Sequence, residues 1–451
     1  MNRLAGRFVS AVAAALVMVG ASAEGGQGAA TSTARTPIRH LVVMIQDGHS
    51  FDNYFGTRSH VDGIPVGVCV PAKAGSSRPC VAPFPLKGSG LTPTLHPTAA
   101  AQRTSVAEGR MDGFVKAQTT PHNNGKGAMG YYRPTDVPLL TQLADQGVLF
   151  DRWFSSVPGG SIANGLFAVS GKALPDVDRV PAAGWPDLPV IFDRLQAAGV
   201  SWKVYVEKYQ PTLTVKAARP SALLHGQVAR VPLLALSRYQ HSKELAFHVA
   251  DLSTYFSDLS TGALPAVSWV VTTSSSERPP ANPLSGQREV RNVVNALGGS
   301  SAWPSSALLL TYASSGGWYD HIAPPTVQGA VLGLRVPALL ISPWATPGFV
   351  DHVQFDHASV LRFIETNWSV APLTSRDANA TDLATAMSFV RAPHPATIVG
   401  ASGDGPHPPV PNRLIIYGVY LLAFFAVGVV VAWAAHGGRQ VAAADASPEP
   451  V

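Results

Sequence analysis

A short apolar run that ends abruptly on polar residues is the feature of this sequence that most constrains its fold. Residues 41–45 read Leu-Val-Val-Met-Ile, and Gln46, Asp47 and further polar residues follow directly. A near-continuous run of this kind is typical of a strand that is buried on both faces of a parallel sheet. Because ligands bind beyond the carboxyl ends of such strands, we predict that Asp47 lies at the mouth of a functional site.

Further along the chain, short apolar runs alternate with segments of helical periodicity. This alternation is typical of β-α-β units and predicts an α/β domain with a mostly parallel sheet flanked by helices. The domain is assigned to residues 37–394, and the loop-rich residues 58–130 and 207–245 are candidates for caps or lids. Strands are predicted over residues 40–44, 148–154, 201–206, 267–271, 308–312 and 338–342, and helices over residues 137–146, 189–198, 289–297 and 359–367.

Both ends of the chain carry the patterns of membrane targeting. Arg3 and Arg7 precede an apolar run over residues 8–19 and a small-residue site at residues 21–23, which predicts a signal peptide over residues 1–23 and a linker over 24–36. A second uncharged apolar run covers residues 414–435, long enough to cross a bilayer core of ~30 Å as a helix. We therefore predict a Pro/Gly-rich linker over 395–413, a transmembrane helix over 414–435 and a cytoplasmic tail over 436–451. A buried core helix is the alternative for either run.

This topology predicts a single-pass protein of the cell membrane whose main domain is extracytoplasmic. In an oxidising compartment, Cys69 and Cys80 are expected to form a disulfide, and metal binding by these two cysteines is the weaker interpretation. Charged residues make up only 14% of the chain, and the arginines are scattered along it. Nucleic-acid binding therefore has no support in the sequence.

The opening motif also resembles that of a known family. Residues 47–57 read Asp-Gly-His-Ser-Phe-Asp-Asn-Tyr-Phe-Gly-Thr. The bacterial phosphoesterase family that contains phospholipases C and related acid phosphatases usually has Glu-Asn-Arg-Ser-Phe-Asp-His-Tyr-Phe-Gly-Thr there. Counting this opening motif, five segments match that family in order, and the others lie at residues 109–115 with 129–136, 151–164, 309–325 and 332–365.

The resemblance implies an alkaline-phosphatase-like fold in which a hydroxyl nucleophile and a metal act on a phosphoryl group. Ser161, in Gly159-Gly160-Ser161, matches the family's nucleophile. Asn164 matches an asparagine that follows it and is assigned as a second candidate catalytic residue. The alternative is that Gly-Gly-Ser is only a turn in which the serine caps a helix.

Further site residues follow from the same resemblance. Asp47, Asp320 and Asp356 are assigned as candidate metal ligands, and the imidazoles of His321 and His357 as candidate catalytic groups. The alternative is that the two later aspartates brace loops and that both histidines no longer act directly.

Several positions depart from the family's pattern. Gly48, Ala313 and Ser314 stand where the family has a metal-binding asparagine and an acidic pair, so a divalent cation of unknown identity is expected to bind weakly or not at all. Arg278 stands where the family often has histidine, and it is a candidate phosphate contact. The alternative is a surface arginine beside Pro279 and Pro280.

Two functions are consistent with these observations. The first is a membrane-anchored extracytoplasmic phosphoesterase that uses Ser161 as its nucleophile. Its expected substrate is a small phosphate ester or a phospholipid head group. The second is a pseudoenzyme of the same fold that has lost its metal site and acts as a binding or scaffolding module.

Overall fold

The computed structural model describes residues 33–400, except residues 73–78, 89, 175–176, 220, 240–241, 243–244, 276 and 279–280. The predicted signal peptide, transmembrane helix and cytoplasmic tail lie outside the described residues. Among the helices that are described, none combines the length and apolar character that a bilayer crossing requires.

A mixed central sheet organises the described part of the chain. Its eight strands are His40–Gln46 (β1), Val148–Phe150 (β2), Trp202–Val206 (β3), Val249–Asp251 (β4), Val267–Val271 (β5), Ser306–Tyr312 (β6), Ala338–Ile341 (β7) and Phe349–Asp351 (β8). Their order across the sheet is β4-β3-β5-β1-β6-β7-β2-β8. Strand β7 runs antiparallel to both of its neighbours, and all other neighbouring strands are parallel.

Most of the helices lie between these strands along the chain, and the last two follow the final strand. They are Phe51–Phe55 (α1), Ala99–Val106 (α2), Phe114–Ala117 (α3), Pro138–Gln146 (α4), Ser161–Ser170 (α5), Ile191–Ala197 (α6), Ala222–His225 (α7), Gln227–Arg230 (α8), Leu245–His248 (α9), Ser253–Thr261 (α10), Pro283–Gly298 (α11), Ala358–Asn367 (α12) and Ser375–Ala378 (α13). The predicted α/β class is therefore confirmed, with a sheet that is mixed rather than uniformly parallel.

The six predicted strands and four predicted helices are all present, although their bounds shift. The run predicted as one strand over 148–154 is two: β2 ends at Phe150, and Trp153–Phe154 pairs instead with Phe355–Asp356 in a separate two-stranded sheet. Helix α11 begins six residues earlier than predicted. The side chain of Asn282 accepts a hydrogen bond from Leu284 N at 2.8 Å, and Pro283 fills the first turn.

Strand β1 lies in the interior of the sheet, as its apolar run predicts. The residues Leu41 to Met44 are fully buried. Parallel pairing with β6 sets Gln46 opposite Tyr312, and Ala313 N donates a hydrogen bond to Gln46 O at 2.9 Å. The residues that follow the two strands, Asp47 and Ala313, are thereby brought to the same edge of the sheet.

The predicted disulfide is present in a small hairpin away from the sheet. Cys69 and Cys80 are bonded, with their Cα atoms 5.5 Å apart. The neighbouring strands Val70–Pro71 and Cys80–Val81 pair in antiparallel fashion.

We expect the double substitution Cys69→Ala and Cys80→Ala to lower the free energy of unfolding by up to ~3 kcal/mol, because the bond closes a loop of roughly a dozen residues in the unfolded chain. Urea unfolding of the variant and of the wild type, each with and without dithiothreitol, measures the difference. Dithiothreitol should destabilise the wild type and leave the variant unchanged. Equal stability of all four samples would contradict a stabilising disulfide.

Candidate active site

The carboxylate of Asp47 is the centre of the site that the sheet assembles. Asp47 follows β1 and is only 7% exposed. The hydroxyl of Ser161 donates a hydrogen bond to its Oδ1, and the guanidinium of Arg230 donates to its Oδ2. Ser314 Oγ lies 3.2 Å from Ser161 Oγ. The predicted nucleophile and the predicted first acid are therefore in direct contact.

Ser161 owes its position to the loop that precedes helix α5. The buried side chain of Asn164 clamps this loop: its Nδ2 donates to Val157 O at 3.1 Å and to Gly160 O at 3.2 Å, and its Oδ1 accepts from Val157 N at 3.0 Å. Gly159 has a φ of 138°, a region that glycine tolerates best. Asn164 thus holds the loop that presents Ser161, and Ser161 begins α5, where the helix dipole favours an anion.

Two arginines make the mouth of the site cationic on one side. Burial raises the pKa of Asp47, but Arg230, the Ser161 hydroxyl and Arg278 together lower it below its usual value. The guanidinium of Arg278 contacts the ring of His225, with Arg278 Nη2 3.2 Å from His225 Nε2. Burial, followed by the charge of Arg278, lowers the pKa of His225, so this histidine is neutral at pH 7.

A small cavity opens between these groups. It has a volume of about 50 Å³, and its lining includes Asp47, Ser161, Arg230 and Ala313. At ~10–15 Å³ for each water-sized group, it holds roughly three to five such groups, which is enough for a phosphoryl group.

The residues at this mouth do not fit a divalent cation. Among the positions that match the family's metal ligands, Asp47 is the one that offers a carboxylate. Both of its oxygens already accept hydrogen bonds. Ala313 has no ligand atom in its side chain, Ser314 has only a hydroxyl, and Gly48 has no side chain. Hard divalent cations need several oxygen ligands.

Asp320 and His321 belong to a second, deeper cluster. His321 Nδ1 lies 2.7 Å from Asp52 Oδ2, and one ligand atom from each of Asp52, Asp320 and His321 lies within 4.8 Å of the others. The buried guanidinium of Arg335 already pairs with both acids, at 2.9 Å from Asp52 Oδ1 and 3.1 Å from Asp320 Oδ1. The three residues are potential metal ligands of a site whose charge Arg335 already balances in part.

Asp356 and His357 lie at the start of helix α12. Asp356 pairs with Arg376 and accepts a hydrogen bond from Ala358 N at 3.0 Å. The Nε2 of His357 lies 3.1 Å from Tyr312 O, and its buried Nδ1 has no hydrogen-bond partner within the described structure. No hydrogen bond or ion pair recorded for the described residues joins either side chain to Asp47 or Ser161. Their assigned roles stay predictions.

Arg230 is the functional residue that the sequence analysis missed. It ends the short helix α8 inside residues 207–245, the segment that was predicted only as a cap or lid. The side chain of Gln227 anchors this helix by donating to Gln210 O at 2.8 Å and to Leu213 O at 3.0 Å. No motif surrounds Arg230, so no local signal identifies it.

Glu277 is a buried carboxyl group directly before Arg278. The hydroxyls of Tyr54 and Tyr312 donate to it at 2.6 Å and 3.0 Å. Burial raises the pKa of Glu277 to about 7, although both tyrosine hydrogen bonds lower it. The two tyrosine hydrogen bonds anchor Glu277 and, with it, the backbone next to Arg278.

We expect Glu277 to make the protein less stable as the pH rises from 4.5 to 7. In that range the folded state keeps a proton that the unfolded state has lost, at ~1.4 kcal/mol per pH unit. Glu277→Gln mimics the protonated acid and should remove this decline. The measurement is urea unfolding at pH 5, 6, 7 and 8.

Burial lowers the pKa values of the buried histidines His49 and His357 to about 4. These two histidines make the protein more stable as the pH rises, and they do so equally in the wild type and in Glu277→Gln. The difference between the two stability curves therefore reports Glu277 alone. Parallel curves would contradict the shifted pKa.

Comparison with known proteins places this site in a family. The sequence profile of the Phosphoesterase family matches residues 38–371. The chain is 28% identical over 426 residues to "Phospholipase C B" of Mycobacterium tuberculosis, covering 80% of each protein. It is also 28% identical over 393 residues to "Non-specific phospholipase C1" of Arabidopsis thaliana, covering 76% of this chain and 69% of the relative.

Solved structures are more distant. A protein of the alkaline phosphatase superfamily from Vibrio parahaemolyticus is 12% identical with a TM-score of 0.37, covering 76% of this chain and 71% of that one. Phosphonate monoester hydrolase of Agrobacterium radiobacter is 10% identical with a TM-score of 0.35, covering 74% of each chain. The assignment rests on the sequence profile, which spans well over half of the chain: this protein belongs to the Phosphoesterase family, whose members are hydrolases of phosphate esters.

Proposed function

We propose that this protein is a phosphoesterase of the phospholipase C type that uses Ser161 as its nucleophile and acts on phospholipid head groups outside the cytoplasm. The observation that carries the proposal is the contact between the Ser161 hydroxyl and the Asp47 carboxylate, at the start of α5 and at the carboxyl edge of the sheet. A base within hydrogen-bond reach is one way to activate a nucleophilic hydroxyl, and Asp47 Oδ1 is the group that accepts from Ser161.

The proposed reaction has two steps. Ser161 Oγ forms a bond to phosphorus while the ester P–O bond on the opposite side breaks. The hydroxyl proton passes to Asp47, and the departing oxygen takes a proton from solvent and leaves as an alcohol. Water then attacks the phosphorus of the phosphoryl-serine intermediate and loses a proton to solvent, while Asp47 returns its proton to Ser161 Oγ. This step releases the phosphorylated head group of a phospholipid, or phosphate from a monoester, and restores the hydroxyl. Two sets of groups would stabilise the charge on the phosphoryl oxygens: the amide N–H groups at the start of α5 and the guanidinium groups of Arg230 and Arg278.

Two considerations support a lipid substrate. Both relatives named above are phospholipases C. The cavity has room for a phosphoryl group alone, so the glycerol and acyl portions would stay outside the mouth and in reach of a membrane. An anchor over residues 414–435 would hold the domain at that surface.

We expect Ser161→Ala to lower hydrolysis of a phosphocholine ester or of a phosphomonoester by roughly a thousandfold or more, since no water replaces a positioned nucleophile. Ser260→Ala, on the distant helix α10, is the matched control and should retain full activity. Acid quenching during turnover, followed by peptide mass spectrometry, should detect phosphate on Ser161.

Unchanged activity in Ser161→Ala would eliminate this residue as the nucleophile. The pseudoenzyme alternative is favoured by the substitutions at Gly48, Ala313 and Ser314. Absence of turnover and of a phosphoserine in the wild type, over a panel of phosphomonoesters and phosphodiesters, would support that alternative.

The proposed topology has its own test. Protease added to intact cells or spheroplasts that carry the full chain should digest the domain over residues 37–394 and leave a small C-terminal fragment that contains residues 436–451. Lysed cells are the control in which the tail also becomes accessible. Full protection of the domain in intact cells would refute an extracytoplasmic location.

A further inference from the structure

We propose that Arg230, assisted by Arg278, takes the place of the metal cation in this site, so that the protein binds a tetrahedral oxyanion without a divalent ion. The identity of the anion as a phosphoryl group rests on the proposed function. The binding itself does not, because it depends only on the groups that line the mouth.

The first support is the state of Asp47. In the matching position, the family's acid is a metal ligand, but here Oδ2 of Asp47 accepts from the Arg230 guanidinium and Oδ1 accepts from the Ser161 hydroxyl. Side-chain exposure is only 11% for Arg230 and 10% for Asp47, so their interaction is weakly screened. A cation approaching Asp47 would have to displace a guanidinium that already carries the positive charge.

The second support is the unused capacity of the arginines. The buried Nε of Arg230 has no hydrogen-bond partner within the described structure, and Arg230 lines the cavity beside Ser161. Arg278 contributes a second guanidinium, whose neighbour His225 is neutral. The positive charges of Arg230 and Arg278 both act on the single carboxylate of Asp47 and lower its pKa.

The third support is the match between guanidinium geometry and the ligand. A guanidinium is planar and always charged, and it donates paired hydrogen bonds to phosphate oxygens. The Ser314 hydroxyl, 3.2 Å from Ser161 Oγ, and the start of α5, whose Ser161 and Ile162 line the cavity, add neutral donors. The substitutions that remove metal ligands and the arginine that covers Asp47 are thus two parts of one rearrangement.

The direct test is titration of inorganic phosphate into the full-length protein by calorimetry at constant ionic strength, with and without EDTA. We expect the same dissociation constant within twofold in both conditions. Arg230→Gln should weaken binding at least tenfold, and Arg230→Lys should weaken it less because it keeps the charge. Arg238→Gln is the matched control: Arg238 lies in the same segment but pairs with Asp187 and Asp193, and phosphate affinity should be unchanged.

Thermal unfolding of each variant confirms that it is folded before titration. Phosphate binding that requires a divalent ion, or that Arg230→Gln leaves unaltered, would overturn the proposal. Metal-free phosphate binding in a protein that never forms a phosphoserine would support it while refuting Ser161 as the nucleophile. The reverse result, turnover that depends on added metal without metal-free binding, would overturn it and leave the proposed function standing.

A second measurement tests the exclusion of metal by Arg230. Gly48→Asn, Ala313→Asp and Ser314→Asp restore the family's oxygen ligands, and Gly48 has a φ of 70°, a conformation that asparagine tolerates. With Arg230 retained, Mn²⁺ should still bind weakly at this mouth. Adding Arg230→Gln should tighten Mn²⁺ binding at least tenfold, and Asp47→Asn should abolish the gain. Equal Mn²⁺ affinity with and without Arg230 would overturn the exclusion.

Discussion

Parallel pairing of β1 with both of its neighbours is the constraint on which the rest of this structure depends. It aligns the ends of three strands, so that Asp47 and Ala313 emerge side by side and Thr272, just beyond β5, donates to the Gln46 side chain at 2.6 Å. The side chains of Leu41 to Met44 are fully buried on both faces of the sheet, and a one-residue shift of register would move each of them to the opposite face and disrupt its packing. The packing of the core therefore fixes the strand ends that carry Asp47 and Ala313.

A second constraint is the buried cation Arg335, which ties the loops around the site to the sheet. Its guanidinium pairs with Asp52 and Asp320, donates to Asp62 O at 2.8 Å and to Asp151 O at 2.9 Å, and lies 4.4 Å from the ring centroid of Phe51. Removing one member of such a network leaves a buried charge unpaired. The aspartate and histidine of the Trp-Tyr-Asp-His segment thus belong to a buried network whose negative charge Arg335 balances in part.

The site combines a retained backbone framework around Ser161 with altered residues at the positions of the family's metal ligands. The structure keeps the loop before α5, the Asn164 side chain that holds this loop, and the contact of Ser161 with Asp47. The positions that match the family's other metal ligands hold the methyl group of Ala313, the hydroxyl of Ser314 and Gly48. A negatively charged phosphoryl group needs a positive partner before a nucleophile can approach it. Among the described residues, the guanidinium groups of Arg230 and Arg278 are the positive charges that act on Asp47.

Local sequence determined the fold class, the central strands and the position of Asp47. An apolar run reports burial of its own residues, and a strand end is marked by the residues that follow it. The edge strands Val249–Asp251 and Phe349–Asp351 escaped prediction because each has three residues and is partly exposed, so neither carries a clear apolar pattern. The Arg230–Asp47 pair joins residues 183 positions apart, and the contact of Glu277 with Tyr54 joins residues 223 positions apart. Only the tertiary structure decided these contacts, because neither partner carries a local signal of the other.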